Sequence, residues 1–224
     1  MSMPFYVPPE QLMKDRAEYA RKGIARGRAI AAVEYEHGVV LIGENPSGAL
    51  QKISEIYDRI AFAGVGKYNE FEALRVAGIR HADLKGYAYA RNDVTAKSLA
   101  SAYSQTLGNV FTQEVKPYEV ELMVVEVGDE TADNRIFRVT YDGTLYDHDR
   151  VAAIGGLEEE MVAALEERFR PDAPLAEAIG WAREVFEQLA ERSLEPHEWE
   201  GAVVDRTLGR RTFRRLASED IADQ

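Results

Sequence analysis

A four-layer α/β/β/α sandwich, an α+β arrangement with two facing sheets between helical layers, is the fold class this sequence predicts. Three observations carry the prediction. Each of two groups of strand-like segments is followed by a pair of helical segments. An amphipathic helix precedes the first strand. A short hairpin closes the chain. Paired helices separating strand groups suit sheets packed face to face and covered on their outer sides.

Size and composition agree. The 224 residues are most economically one domain, with a core of useful size. Hydrophobic residues make up 46% and charged ones 29%, a globular balance. No apolar run reaches the roughly 20 residues that span a bilayer. Met1–Tyr6 has no basic region followed by an apolar one, so no signal peptide is read. Zero cysteines exclude disulfides and thiolate metal sites and fit a cytoplasmic protein. A net charge of −12 argues against nucleic-acid binding, because phosphates need cationic neutralisation. The one basic cluster is Arg206, Arg210, Arg211, Arg214 and Arg215, read as a solvated or subunit-facing hairpin rather than an anion site.

The elements follow in order. Pro8-Pro9 opens a helix over 9–27, since proline's missing N–H is harmless there. Leu12, Met13, Ala17, Ala20 and Ile24 form its apolar stripe, and Lys14, Asp15, Glu18 and Arg21 the other side. Such a stripe can pack on its own domain or against neighbouring subunits. Ala29–Glu36 and Val39–Glu44 flank the turn His37-Gly38. Asn45-Pro46-Ser47-Gly48 stops the second strand, and an exposed loop carrying Lys52 follows. Ile56–Tyr57 and Arg59–Ala63 are strands, with Gly64-Val65-Gly66 opening a helix. Tyr68, Phe71, Leu74, Gly78 and Ala82 lie on one helical face. Thr95 caps a second helix with Leu99, Tyr103, Leu107, Val110 and Phe111.

Val120–Val127 and Ile136–Tyr141 return to β structure, with Asp142-Gly143 turning into Thr144–Tyr146. Val151–Ile154 is short and ends at Gly155-Gly156. Two helices follow, one with Leu157, Met161, Leu165 and Phe169, the other with Leu175, Ile179, Ala182, Phe186 and Leu189. Gly201–Arg206 and Arg210–Leu216 close as a hairpin, and residues 217–224 read as a flexible acidic tail.

Several runs carry a resemblance. They are PPEQ at Pro8–Gln11, ARKGIARG at Ala20–Gly27, GVVL at Gly38–Leu41, ENPS at Glu44–Ser47 and LQKISE at Leu50–Glu55. GKYNEF at Gly66–Phe71 and VKPYEVEL at Val115–Leu122 extend the set. In order and spacing they resemble α-type subunits of the proteasome core particle, of the actinobacterial kind. The resemblance implies the N-terminal nucleophile hydrolase fold and a seven-membered homo-oligomeric ring that caps inner rings of β-type subunits. It favours the neighbour-facing reading of the N-terminal helix. It also implies that Lys52 binds the C-terminal carboxylate of a ring ATPase activator, in a pocket bordered by Gly27 and Gly66. Met1, Ser2, Met3, Pro4, Phe5, Tyr6, Val7, Pro8 and Pro9 would form the gate, with Pro9 near its hinge. Met1–Val7 lacks the Tyr-Asp-Arg signature of archaeal and eukaryotic gates.

Catalytic machinery is hard to find. His37, His81, His148 and His197 are scattered, read as surface residues, and begin no metal-ligand spacing. Neither a G-x-S-x-G elbow nor a phosphate loop occurs. Catalytic relatives implied by the resemblance use an N-terminal threonine whose amine activates its own hydroxyl. The one Gly-Thr pair, Gly143-Thr144, lies in a mid-chain turn, where cleavage would split the domain. The sequence therefore predicts a subunit with no catalytic residue, cofactor or metal. The alternatives are a self-processing hydrolase or a stand-alone α/β binding protein.

Overall fold

The computed structural model describes residues 8–223. After helix α1 (Pro9–Ile24) come strands β1 (Ile30–Tyr35), β2 (Gly38–Glu44), β3 (Ile53–Tyr57) and β4 (Ile60–Gly66). Helices α2 (Tyr68–Ala88) and α3 (Ala96–Gln113) follow, then β5 (Val120–Glu126), β6 (Arg135–Val139), β7 (Leu145–His148) and β8 (Val151–Ile154). Helices α4 (Glu158–Arg168) and α5 (Leu175–Ala190), strands β9 (Trp199–Asp205) and β10 (Phe213–Arg215), and helix α6 (Ser218–Ala222) complete the described chain.

Two five-stranded antiparallel sheets result, ordered β10-β9-β2-β1-β8 and β3-β4-β5-β6-β7. Successive strand residues point to opposite faces, and here both faces are buried. In β1, Ile30 and Ala32 meet Ala61, Ala63, Val65, Met123 and Val125 of the facing sheet. Ala31, Val33 and Tyr35 point the other way, toward Ile179, Trp181, Ala182 and Val185 of α5. On the outer face of the second sheet, Phe62, Leu122 and Val124 pack on Phe71 of α2 and on Leu99, Tyr103 and Leu107 of α3. Three apolar layers thus hold four structural layers, the predicted sandwich.

Three boundaries differ from expectation. The first helix stops at Ile24, three residues early, and the Gly27 N–H turns back to the Ile24 carbonyl at 2.8 Å. Gly64-Val65-Gly66 opens no helix but continues β4, paired with Leu122, Glu121 and Val120 of β5. Gly66 has φ of +105°, and its Cα lies so close to the Glu119 carbonyl that a side chain could not fit. The tail is not wholly flexible. Residues 218–222 fold as α6, with Ile221 fully buried and the Ala222 carbonyl accepting from Arg183 Nη1 at 2.8 Å. Ile221 and Ala222 pack on the core, and the Ser218 hydroxyl donates to the Trp199 carbonyl at 3.1 Å.

The basic cluster is solvated as expected, with Arg210, Arg211, Arg214 and Arg215 exposed, and several of its arginines also bond within the chain. Arg211 pairs with Glu55 and Arg215 bonds Gln51 and the Ile53 carbonyl, tying the β10 segment to β3. Arg206 donates to the carbonyls of Glu36 and Gly128 and to Asn134 Oδ1.

Candidate functional site

Strand β2 ends at Glu44, and the loop behind it is tied to one residue of β9. Glu200 accepts the backbone N–H groups of Lys52 at 3.0 Å and Ile53 at 2.9 Å, and the Asn45 amide at 2.6 Å. Asn45 also donates to the Leu50 carbonyl and accepts the Ser47 N–H, an Asx turn that explains ENPS. These contacts point the Lys52 side chain back at the start of β1. Its Nζ donates to the Glu44 carbonyl at 2.9 Å and the Arg28 carbonyl at 3.1 Å.

The loop over residues 46–51 is mostly exposed as expected, but Lys52 itself is half-buried. Burial pushes its ammonium down to about 8, with Glu200 and Glu44 opposing the shift and Arg28 adding to it. An ammonium has three donors, and two of them are spent on carbonyls. The third is the one a carboxylate would take.

Gly27 and Gly66 come together. A Cβ on Gly27 would stand 2.6 Å from Val65 Cγ1 and 2.9 Å from the Gly66 nitrogen. A hollow of about 230 Å³ opens beside them, lined by Arg26, Gly27, Arg28, Glu44, Leu157 and Phe186 among others. Of the three predicted site residues only Gly27 lines this hollow. Lys52 reaches it through the carbonyls of Arg28 and Glu44, and Gly66 backs Gly27. Glu44, at the end of β2, is ion-paired to Arg192 at 2.8 Å and Arg28 at 3.4 Å.

At the head of β1, Arg28 and Ala29 offer neither hydroxyl nor thiol. Thr144 stays in the β6–β7 turn, its N–H donating to Asp142 Oδ1 at 3.0 Å. Among the described residues no group of three or more His, Asp or Glu could hold a metal. No helix among the described residues is long and apolar enough to cross a membrane. His37, His81 and His197 are exposed as expected. His148 departs from that reading: it is half-buried, and burial holds it below the usual imidazole range.

Of the gate residues, Met1–Val7 lie outside the described residues. Pro8 is the N-cap of α1, its carbonyl accepting from Leu12 at 3.0 Å, and Pro9 is the first helical residue.

The family described as "Proteasome subunit" matches residues 24–204. The chain belongs to the proteasome subunit family. Among its relatives, "Proteasome subunit alpha" of Sanguibacter keddieii is 55% identical, covering 100% of this chain and 89% of the relative. That of Kineococcus radiotolerans is also 55% identical, over 99% and 97%. That of Thermomonospora curvata is 52% identical, over 100% and 97%. The alpha type is the non-catalytic kind of proteasome subunit, and this chain is of that kind. The sandwich described above is accordingly that of the N-terminal nucleophile hydrolases.

One group of the site region had been missed. The buried Glu121 of β5 and the half-buried Arg138 of β6 and Glu158 of α4 form a polar cluster next to the β8–α4 turn. The signal was present: Glu121 interrupts an otherwise apolar strand, Val120–Val125.

Proposed function

We propose that this chain forms the outer ring of a proteasome core particle, in the cytoplasm, and serves ATP-dependent protein degradation from there. It governs substrate access through residues 1–9, docks the C-terminal carboxylate of a ring ATPase on Lys52, and supports assembly of the β-type ring. The observation that carries the docking reading is the Lys52 geometry. A half-buried ammonium with one donor left over, next to close-packed glycine backbone at Gly27 and Gly66, suits a terminal carboxylate and the peptide that bears it.

The ring reading rests on α1. Its apolar stripe outruns the domain beneath it, leaving Leu12 47% and Met13 38% exposed. Residues before α1, carried on Pro8 and Pro9, would be held by such a ring near one another.

The test of docking is Lys52→Ala. Loss of one member of a partly desolvated charge pair costs about 2–5 kcal/mol in binding, and ring-to-ring docking repeats the contact. Activator pull-down and ATP-dependent degradation of a folded substrate by the variant particle should fall to background, while hydrolysis of small peptides stays near wild type. Normal degradation would reduce Lys52 to a structural lysine. A pH series adds a second check. The ammonium is present below about 8 and is lost above it, so affinity for a carboxylate-ended tail peptide should decline as pH rises past that point.

A further inference from the structure

The two sheets end together on two opposite rims of the molecule, and the rims differ in charge. Strands β10 and β3 are terminal on one side, β7 and β8 on the other. Four strand spacings separate the rims, about 19 Å. Arg215 Nη2 donates to the Ile53 carbonyl and the Thr212 N–H to the Asp58 carbonyl, both at 2.9 Å, so the β10 segment and β3 form one rim. Across the molecule only Asp149-Arg150 links β7 to β8, which places those two strands on the other.

The first rim is basic. Arg210, Arg211, Arg214 and Arg215 stand exposed there, opposed by the half-buried carboxylates of Glu55 and Asp58. Arg211 pairs with Glu55, while Arg210 lies 3.8 Å from an Asp58 that Arg91 already holds through two bonds. Arg214 enters no ion pair among the described residues. The second rim is acidic. Asp147 on β7, Asp149 in the link, and Glu159 and Glu160 at the start of α4 are exposed, and none is ion-paired among the described residues. Of the two arginines there, Arg138 is spent on Glu121 and Glu158, and Arg150 lies over the Phe169 ring.

The two charges stand at the same level of the sheet. Arg214 is opposite Val203 of β9, Val203 opposite Val40, Val40 opposite Val33, and Val33 opposite Val151, which directly follows Asp149-Arg150. Each rim also carries exposed apolar surface, Leu208 beside the arginines and Leu145 and Tyr146 on β7. An apolar middle within a polar border is the layout of a protein interface. The acidic rim is continuous with α1. A hollow of about 520 Å³ is lined by Tyr146, Glu159 and Glu160 and equally by Arg21 and Ile24 of that helix.

We infer that the basic rim of one copy seats against the acidic rim of the next, with Arg210 and Arg214 facing Asp147 and Asp149 and with Leu208 against Leu145 and Tyr146. The inference rests on the ring reading above and names the surfaces that close the ring. Charge selects this pairing over its rival. A twofold contact would set a rim against itself, arginine on arginine or carboxylate on carboxylate, and such like-charge contacts are strongly disfavoured. A head-to-tail contact sets opposite charges together, and the same step repeated can return to its starting copy. Carrying the two signs on opposite rims therefore discourages isolated pairs and favours a cycle.

Charge reversal in the full chain, co-expressed with a β-type subunit and read by native mass spectrometry, tests this. Arg210→Glu with Arg214→Glu sets acid against acid and should lower the fraction of this chain found in rings by about tenfold. Asp147→Lys with Asp149→Lys should do the same from the other rim. Joining all four substitutions in one chain restores opposite charges at every contact and should bring the rings back. Glutamine at the same positions removes charge without reversing it, and gives a second reading should circular dichroism show a reversed variant unfolded; each glutamine pair should lower the ring fraction less than its reversal. Rings undiminished in both reversed pairs, or no recovery in a folded chain carrying all four changes, overturn the rim contact and leave the ring reading standing. A wild-type chain that stays monomeric beside its partner overturns both.

Discussion

Helices α1 and α5 are both 16 residues long and both amphipathic, yet they end up in different situations. Helix α5 buries Ala178, Ile179, Trp181, Ala182, Val185 and Phe186 against β1 and β2, and Phe186 meets Trp199 edge-on at 5.7 Å. Helix α1 buries only Ala20 and Ile24, over Tyr141 and Phe111. From its middle onward it is pinned at the rim by Arg16 over Phe111 and Arg21 over Tyr141. The first half leaves Leu12 and Met13 in solvent. An apolar stripe therefore tells that a helix will be covered, but not by what. One helix completes its own domain, and the other carries an unused half of the same pattern.

Substitutions can break this contrast. The largest effect is expected for Phe186→Ala, where a cavity opens between α5 and the sheet. About 3–5 kcal/mol should be lost, read from the urea midpoint. A loss under about 1 kcal/mol would mean that α5 is not part of the core. Ile24→Ala removes the main anchor of α1 and should cost about 2 kcal/mol, at the low end for such a truncation because the cluster is small. Leu12→Ser with Met13→Ser should change stability by less than about 0.5 kcal/mol, since neither side chain is covered in the isolated chain. A large destabilisation there would show that the first half of α1 packs on its own domain after all.

The fold was largely legible because every layer writes its own period. Strand runs such as Val39–Ile42 are apolar throughout, which marks burial on both faces, and the helix pairs keep a spacing of three and four. Boundaries failed where tertiary contact overrode local signals. Gly64-Val65-Gly66 looks like a turn but is held as strand by β5, and Ile221 pulls an acidic tail into α6. At the site, Lys52, Gly27 and Gly66 were reachable only through their motif. A lysine in a polar loop says nothing locally about the carbonyls of Arg28 and Glu44, 24 and 8 residues away, that would hold it. The Glu121–Arg138–Glu158 cluster was less accessible still, being assembled from three elements far apart in sequence.

The central claim is that this chain works as a ring subunit and that the free half of α1 makes the contact. Native mass spectrometry of the chain co-expressed with a β-type subunit tests it most directly, comparing wild type with a Leu12→Asp, Met13→Asp variant. The account predicts closed rings of this chain in the wild-type particle. It predicts folded but unassembled chain in the variant, with circular dichroism and urea midpoint close to wild type. Rings of unchanged size and abundance in the variant, or a wild-type chain that stays monomeric beside its partner, would contradict it.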